Sequence, residues 1–469
     1  MLSLPSTCVF SCLVLPCLAL LGAGCTPESG VDASRQNDHP TGIIAATNHL
    51  AASVASGTPE LAKETGGVAQ WPALFGSDRT SVVDAAINPK WPDGGPELIW
   101  QVDCGTGYGS PVTADGRVVF NSRVGDHEIV QCHDVATGEL RWSYRYPTSA
   151  VCDFKYSDGP YSTPTIDATG RRVFNVGGQG QFSCLDFDTG KVVWVRDLHA
   201  EYGVQADIFP VGASPLLDRK TVRGDGQLIF NLGARDRSAG IISLNPDNGE
   251  TNWQATDHGP SYGTPFVTDI HGQRFAFVLT DEGLVCLNPD DGSVDWNFEY
   301  RRKGDLVRNA TSPLAFDDKV LVVSSGLGGV CLEVQPDRSY IQSWRQRRTL
   351  DSQYNTLILG NDQAHVYSFT SSGQGGAEFR CVDLKTGSLC WTYPSVLKRG
   401  MGLASGDALI LLGERGHLAS LAFTHQSPRV ISFTAQPLMT EPCYCSPAIY
   451  DDRLILKDET RVAVFDLGS

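Results

Sequence analysis

The stretch Cys184-Leu-Asp186-Phe-Asp-Thr-Gly190-Lys-Val-Val-Trp194 recurs in looser form along most of this 469-residue chain, and that repeat restricts the possible fold more than any other feature. A short alternating strand at 181–185 enters a polar turn closed by Gly190, and a second strand follows with its Trp, which is the pattern of a β-hairpin. Copies at 132–142, 244–253, 287–296 and 381–391 place Gly138, Gly249, Gly292 and Gly387 in the turn and Trp142, Trp253, Trp296 and Trp391 after it. A second marker precedes each hairpin: Ser110-Pro111, Thr163-Pro164, Ser214-Pro215, Thr264-Pro265, Ser312-Pro313 and Ser446-Pro447 each open an apolar strand. The Trp follows the Pro by 30 or 31 residues in four repeats and by 38 in the one with extra residues near 219–226.

Repeats of about 40 to 50 residues with four short strands each are the signature of propeller blades. Counting from Ser110, Ser162, Ser214, Thr264, Ser312, Asn355, Gly402 and Ser446 gives eight. The last supplies only three strands, at 447–450, 453–457 and 461–465, while residues 98–102, with Trp100, have the pattern of an outer strand. The expected fold is therefore all-β, an eight-bladed propeller of four-stranded antiparallel sheets closed by an N-terminal outer strand in the last blade. Closure removes exposed sheet edges. The repeated Trp residues are expected to pack between blades, and the turn glycines to supply positive φ. Cys132, Cys184, Cys286, Cys331 and Cys381 share one phase of the repeat and read as core filling.

Residues 1–24 hold an apolar run at 9–21, short for a bilayer, then the small residues Gly22, Ala23 and Gly24. This is the pattern of a secretory signal, and it resembles a lipoprotein signal in which the next residue, Cys25, is acylated. Residues 25–70 are rich in Ala, Ser, Thr, Gly and Asn and read as a flexible tether between that anchor and a propeller over 71–469. A net charge of −16 argues against nucleic acid, whose phosphates require clustered cations. The expected location is the periplasmic side of a membrane or the cell envelope.

The Asp-x-x-Thr-Gly-x-x-x-Trp units, the Ser/Thr-Pro strand starts and the opening Trp71-Pro-x-x-Phe-Gly76 resemble the pyrroloquinoline-quinone-like β-propeller repeat family. That family includes quinoprotein alcohol dehydrogenases and the propeller lipoprotein of the bacterial outer-membrane barrel-assembly machine. In the dehydrogenases the resemblance implies a quinone (PQQ) stacked between a Trp and a disulfide of adjacent cysteines, with Ca²⁺ held by acidic and Asn side chains. This chain has no adjacent Cys pair, only Cys443-Tyr-Cys445, and no His-Glu-x-x-His, haem-attachment motif or phosphate loop.

Function is therefore sought in the loops joining each outer strand to the next inner strand, which share one face around the channel. They carry Tyr108, Tyr156, Asp158, Tyr161, His199, Tyr202, Asp207, His258, Tyr262, Arg308, Asn309, Gln353, Asn355, Lys398 and Arg399. Of these, Tyr108, Asp158, Tyr161, His199, His258, Tyr262, Arg308, Asn309, Asn355 and Arg399 are the candidate ligand-binding set; no catalytic or metal-ligating set is assigned. Cys104, Cys152, Cys443 and Cys445 lie on neighbouring loops of the same face and are candidates for a disulfide across the closure. The leading expectation is a binding or scaffolding module for envelope proteins. The alternatives are a quinoprotein-like dehydrogenase using PQQ and Ca²⁺, and a carbohydrate-binding propeller.

Overall fold

The computed structural model describes residues 67–469 except 155, 206–208, 223, 302–308, 356, 371–375, 395 and 469. The signal, Cys25 and most of the expected tether lie outside those residues, as do Asp207 and Arg308.

Eight sheets follow one another, six of them with four strands in sequence order from the channel outward. Blade 1 comprises Val112–Ala114, Arg117–Val124, His127–Asp134 and Leu140–Pro147, and blades 2 to 7 repeat the arrangement. Blade 8 draws Ala448–Tyr450, Arg453–Lys457 and Arg461–Asp466 from the C-terminus, and Glu97–Asp103 pairs antiparallel with its third strand. The ring is thus closed as the sequence predicts. The longer third repeat has its extra residues in the connection between Leu216–Asp218 and Gln227–Ala234, the inner and second strands of blade 3. The five phased cysteines are all buried, and burial pushes the Cys132, Cys184 and Cys331 thiols up to about 12.

Trp and turn Gly turn out to be two halves of one joint. Trp142 of blade 1 donates from Nε1 to the Phe187 carbonyl of blade 2 at 2.8 Å, and its ring lies where a side chain on Gly190 would begin, 2.6 Å from an ideal Cβ. The same joint links Trp100 to Val135 O and Gly138, Trp194 to Pro246 O and Gly249, Trp253 to Pro289 O and Gly292, and Trp344 to Leu384 O and Gly387. Glycine is thus needed for its positive φ and for the missing Cβ. The Asp of the repeat holds the turn: Asp186 Oδ1 accepts from Thr189 N and Oγ1 at 2.9 and 2.7 Å. Trp296 departs from this joint. The facing turn of blade 5 has Arg338, with φ of 68°, in place of glycine, and the Trp296 Nε1 is left without a partner.

The Ser/Thr-Pro marker builds a belt around the channel. Ser446 N donates to Ser110 Oγ at 2.8 Å, Ser110 N to Thr163 Oγ1 at 2.9 Å, and Thr163 N to Ser214 Oγ at 2.9 Å. Ser214 N then donates to Thr264 Oγ1 at 3.3 Å and Thr264 N to Ser312 Oγ at 2.9 Å. Each hydroxyl satisfies the amide just before the proline of a neighbouring blade, which has no other strand to bond. Ser110→Ala would strand the buried Ser446 amide and is expected to cost about 1–3 kcal/mol, measured as a lower urea midpoint at unchanged m-value.

An element the sequence reading did not anticipate fills the lower channel. Residues 69–85 form a strap across the inner strands: Asp451 N donates to Ala69 O, Trp71 exchanges bonds with Thr113, and Ile166 N donates to Pro72 O. Leu359 N then donates to Thr80 O, and Val82–Val83 adds a parallel fifth strand to blade 7 beside Gly400–Ser405. Trp71, Ala73 and Phe75 are buried within the ring.

Candidate functional site

The face opposite the strap is closed by aromatic side chains from six blade-to-blade loops. Tyr108 packs against Tyr161 at 4.7 Å between centroids and edge-on to Tyr444 at 5.0 Å; Tyr444 meets Tyr354 at 4.9 Å. Phe209 continues the cluster, 5.4 Å from Phe154, 5.8 Å from Tyr156 and 6.0 Å from Tyr262. Aromatic pairs in such offset and edge geometries stabilise one another beyond the area they bury.

Backbone contacts set these rings in place. Tyr108 N donates to Pro160 O at 2.8 Å, Ser157 N to Tyr108 Oη at 3.1 Å, and Tyr161 Oη to Ser157 O at 2.8 Å. Gly107, with φ of 130°, lets the two loops close: a Cβ there would lie 2.8 Å from Pro160 O. Arg399 lies over Tyr354 and Tyr444, 5.3 and 5.4 Å from their centroids. Its guanidinium donates to Glu414 at 2.7 Å, Gln353 at 2.8 Å and Tyr444 Oη at 3.1 Å, one bond from each nitrogen. Burial raises the Tyr108, Tyr161, Tyr354 and Tyr444 hydroxyls above the usual phenol range. They remain neutral at physiological pH.

Between these rings lies a cavity of about 380 Å³ lined by Thr106, Tyr108, Tyr156, Ser157, Asp158, Pro442, Tyr444 and Glu459. Tyr156, which lines it, is 44% exposed, and the same loop carries exposed Val151 at 64% and Phe154 at 39%.

Of the sequence candidates, Tyr108, Asp158, Tyr161, Tyr262 and Arg399 meet in this cluster. Asn309 and Asn355 are buried fasteners, donating to Thr280 O and Tyr300 O at 2.8 and 3.0 Å and to Gly400 O at 2.7 Å. His258 shares a 2.9 Å bond with Thr280 Oγ1, and His199 packs on Gly180, where burial lowers its pKa. Tyr354, Tyr444, Phe154, Phe209 and Glu459 were missed. For the four aromatic residues, position in the same class of loop was the available signal, whereas Glu459 lies in the turn between Arg453–Lys457 and Arg461–Asp466 of blade 8.

The four loop cysteines are free thiols in the structure, so the expected staple is not formed. Their sulfurs turn to separate backbone oxygens: Cys104 to Asp458 O, Cys443 to Thr440 O at 3.2 Å, and Cys445 to Gly109 O at 3.6 Å. Cys152 sits on another loop, its amide donating to Asp158 Oδ1 at 2.6 Å.

Beneath the loops, buried Glu128 accepts from Tyr146 Oη at 2.6 Å and Gly178 N at 3.0 Å, yet burial raises its pKa. The folded state thus holds this proton more tightly than the unfolded chain, whose value is about 4.3. The stability it contributes is full below that value and is lost as pH rises through the folded one. Glu128→Gln is expected to remove that component of the pH slope in urea titrations across the acid range.

The cavity is bordered by the carboxylates Asp158 and Glu459, and Trp71 and Phe75 are buried in the strap across the inner strands.

Comparison with known proteins agrees with the architecture. BamB from Moraxella catarrhalis superposes with a TM-score of 0.53 at 17% identity, over 79% of this chain and 97% of that one. Quinohemoprotein alcohol dehydrogenase from Comamonas testosteroni gives 0.55 at 13% identity, over 85% and 81%. These likenesses are of fold. No curated protein matches the chain. The profile of the outer membrane protein assembly factor BamB matches residues 126–393, more than half of the chain, and the chain belongs to that family.

Proposed function

We propose that this protein is an exported scaffold, lipidated at Cys25, that holds an outer-membrane assembly partner at the cell envelope through its tyrosine face. The observation that carries this reading is an aromatic cluster with Val151, Phe154 and Tyr156 exposed on one of its loops, in a chain of the BamB family. Tyr and Arg at the centre of a polar-rimmed patch are the residues that dominate protein–protein binding energy. The same rings would also stack on sugars, so retention on a polysaccharide matrix is the control for a carbohydrate ligand.

The test is affinity capture from detergent-solubilised envelopes using the full chain. Tyr156→Ala with Phe154→Ala is expected to weaken capture of an outer-membrane assembly protein by tenfold or more; unchanged capture would exclude this face. Cys25→Ser should release the protein from the membrane fraction. PQQ with Ca²⁺ should leave the melting temperature unchanged; a large rise would favour the dehydrogenase alternative.

A further inference from the structure

The facing turn of blade 7, residues 423–429, contains no glycine, so the seam between blades 6 and 7 lacks that half of the Trp–Gly joint. Trp391 still donates to Thr424 O at 3.0 Å, and the next residue is His425.

At this seam three side chains converge from two blades. Asp362 and His365 come from the turn between Ile358–Leu359 and His365–Phe369 of blade 6; His425 comes from the turn between Leu418–Ala422 and Val430–Phe433 of blade 7. One ligand atom from each lies within 4.8 Å of the others. The His365 Nδ1 is 2.7 Å and the His425 Nδ1 3.5 Å from the same Asp362 Oδ2, and the two imidazoles stack 4.3 Å apart at 7°. Asp362 is oriented by Ala364 N, which donates to its other oxygen at 2.9 Å.

We propose that Asp362, His365 and His425 form a site for a divalent late transition-metal ion, such as Zn²⁺, that clamps blade 6 to blade 7. Two imidazoles and one carboxylate are the donor set of borderline ions, not of Ca²⁺ or Mg²⁺. Ligand atoms around a tetrahedral Zn²⁺ stand roughly 3.4 Å apart, from metal–ligand distances near 2.1 Å, and each imidazole binds in its own ring plane, so the adjustments needed are small shifts of the ligand atoms and a rotation of the His425 ring out of the parallel stack. Freedom to make them is present: the His425 side chain is 50% exposed and Asp362 42%, whereas His365 is held at 13%. The exposed side leaves a coordination position for water, and the clamp adds to the Asn355 and Asn361 side chains, which donate across this seam to Gly400 O and Gly406 O.

The test uses the tag-free full chain at neutral pH, titrated with Zn²⁺ in a calorimeter and melted with and without the ion. The expected result is one high-affinity site and a rise in melting temperature, both abolished in His425→Ala, a surface change that leaves the apo fold intact, and in His365→Ala. Cobalt substitution should give a d–d absorption band that His425→Ala removes. Exposed Cys390 lies close enough to Asp362 to influence it, so Cys390→Ser is included and is expected to retain the site. Zinc bound equally well by the His365→Ala/His425→Ala double variant, or no binding in the wild type at millimolar Zn²⁺, would overturn the proposal.

Discussion

Trp142→Ala is expected to destabilise the domain by about 3–5 kcal/mol, the range for emptying a buried large aromatic site. The ring is buried between blades 1 and 2, covers Gly190, and satisfies the Phe187 carbonyl, so the truncation loses area and a hydrogen bond and opens a cavity. Trp296→Ala provides the internal comparison. Its indole is half-buried, its Nε1 has no partner and its facing turn bears Arg338, so the expected cost is smaller, about 1–2 kcal/mol. Urea denaturation of the two variants checks the ordering; equal losses would contradict the joint described here.

Trp71→Ala is expected to cost a similar 3–5 kcal/mol, although it removes no part of any blade. Trp71 is 1% exposed and is the largest fully buried side chain of the strap. The strap's backbone closes inner-strand edges of blades 1, 2, 6, 7 and 8, and it does so with Phe75, Arg79 and Ser81 in left-handed backbone at φ of 69°, 58° and 61°. Conformations that cost about 1 kcal/mol each persist only where packing enforces them. Loss of the Trp anchor should therefore speed amide exchange at Thr113, Ile166 and Ala404 before the outer strands respond. Uniform acceleration across each blade would mean that the strap is not a separate unit.

The ring was legible in the sequence because its joints repeat. The Trp and Gly recur at fixed phase, the Ser/Thr-Pro marker recurs at the channel, and residues 98–102 carry the missing outer-strand pattern. The strap was not legible, since residues 69–85 bond to six or more distant segments and show neither alternation nor a repeat. At the upper face, residue type alone could not separate Asn309 and Asn355, which fasten loops from within, from Tyr108 and Arg399, which meet at the surface. Tyr444 was read only as a spacer between Cys443 and Cys445, while in three dimensions it joins Tyr108, Tyr354 and Arg399. Burial and loop path decide these cases, and both are non-local.

The central claim is that the tyrosine face, and not the blade rims, carries the partner. A photo-crosslinking residue placed in cells at Tyr156, and separately at the exposed rim residues Val193 and Ile341, tests it directly. The account predicts a crosslink to an outer-membrane assembly protein from position 156 and none from 193 or 341; rim crosslinks with a silent position 156 would contradict it.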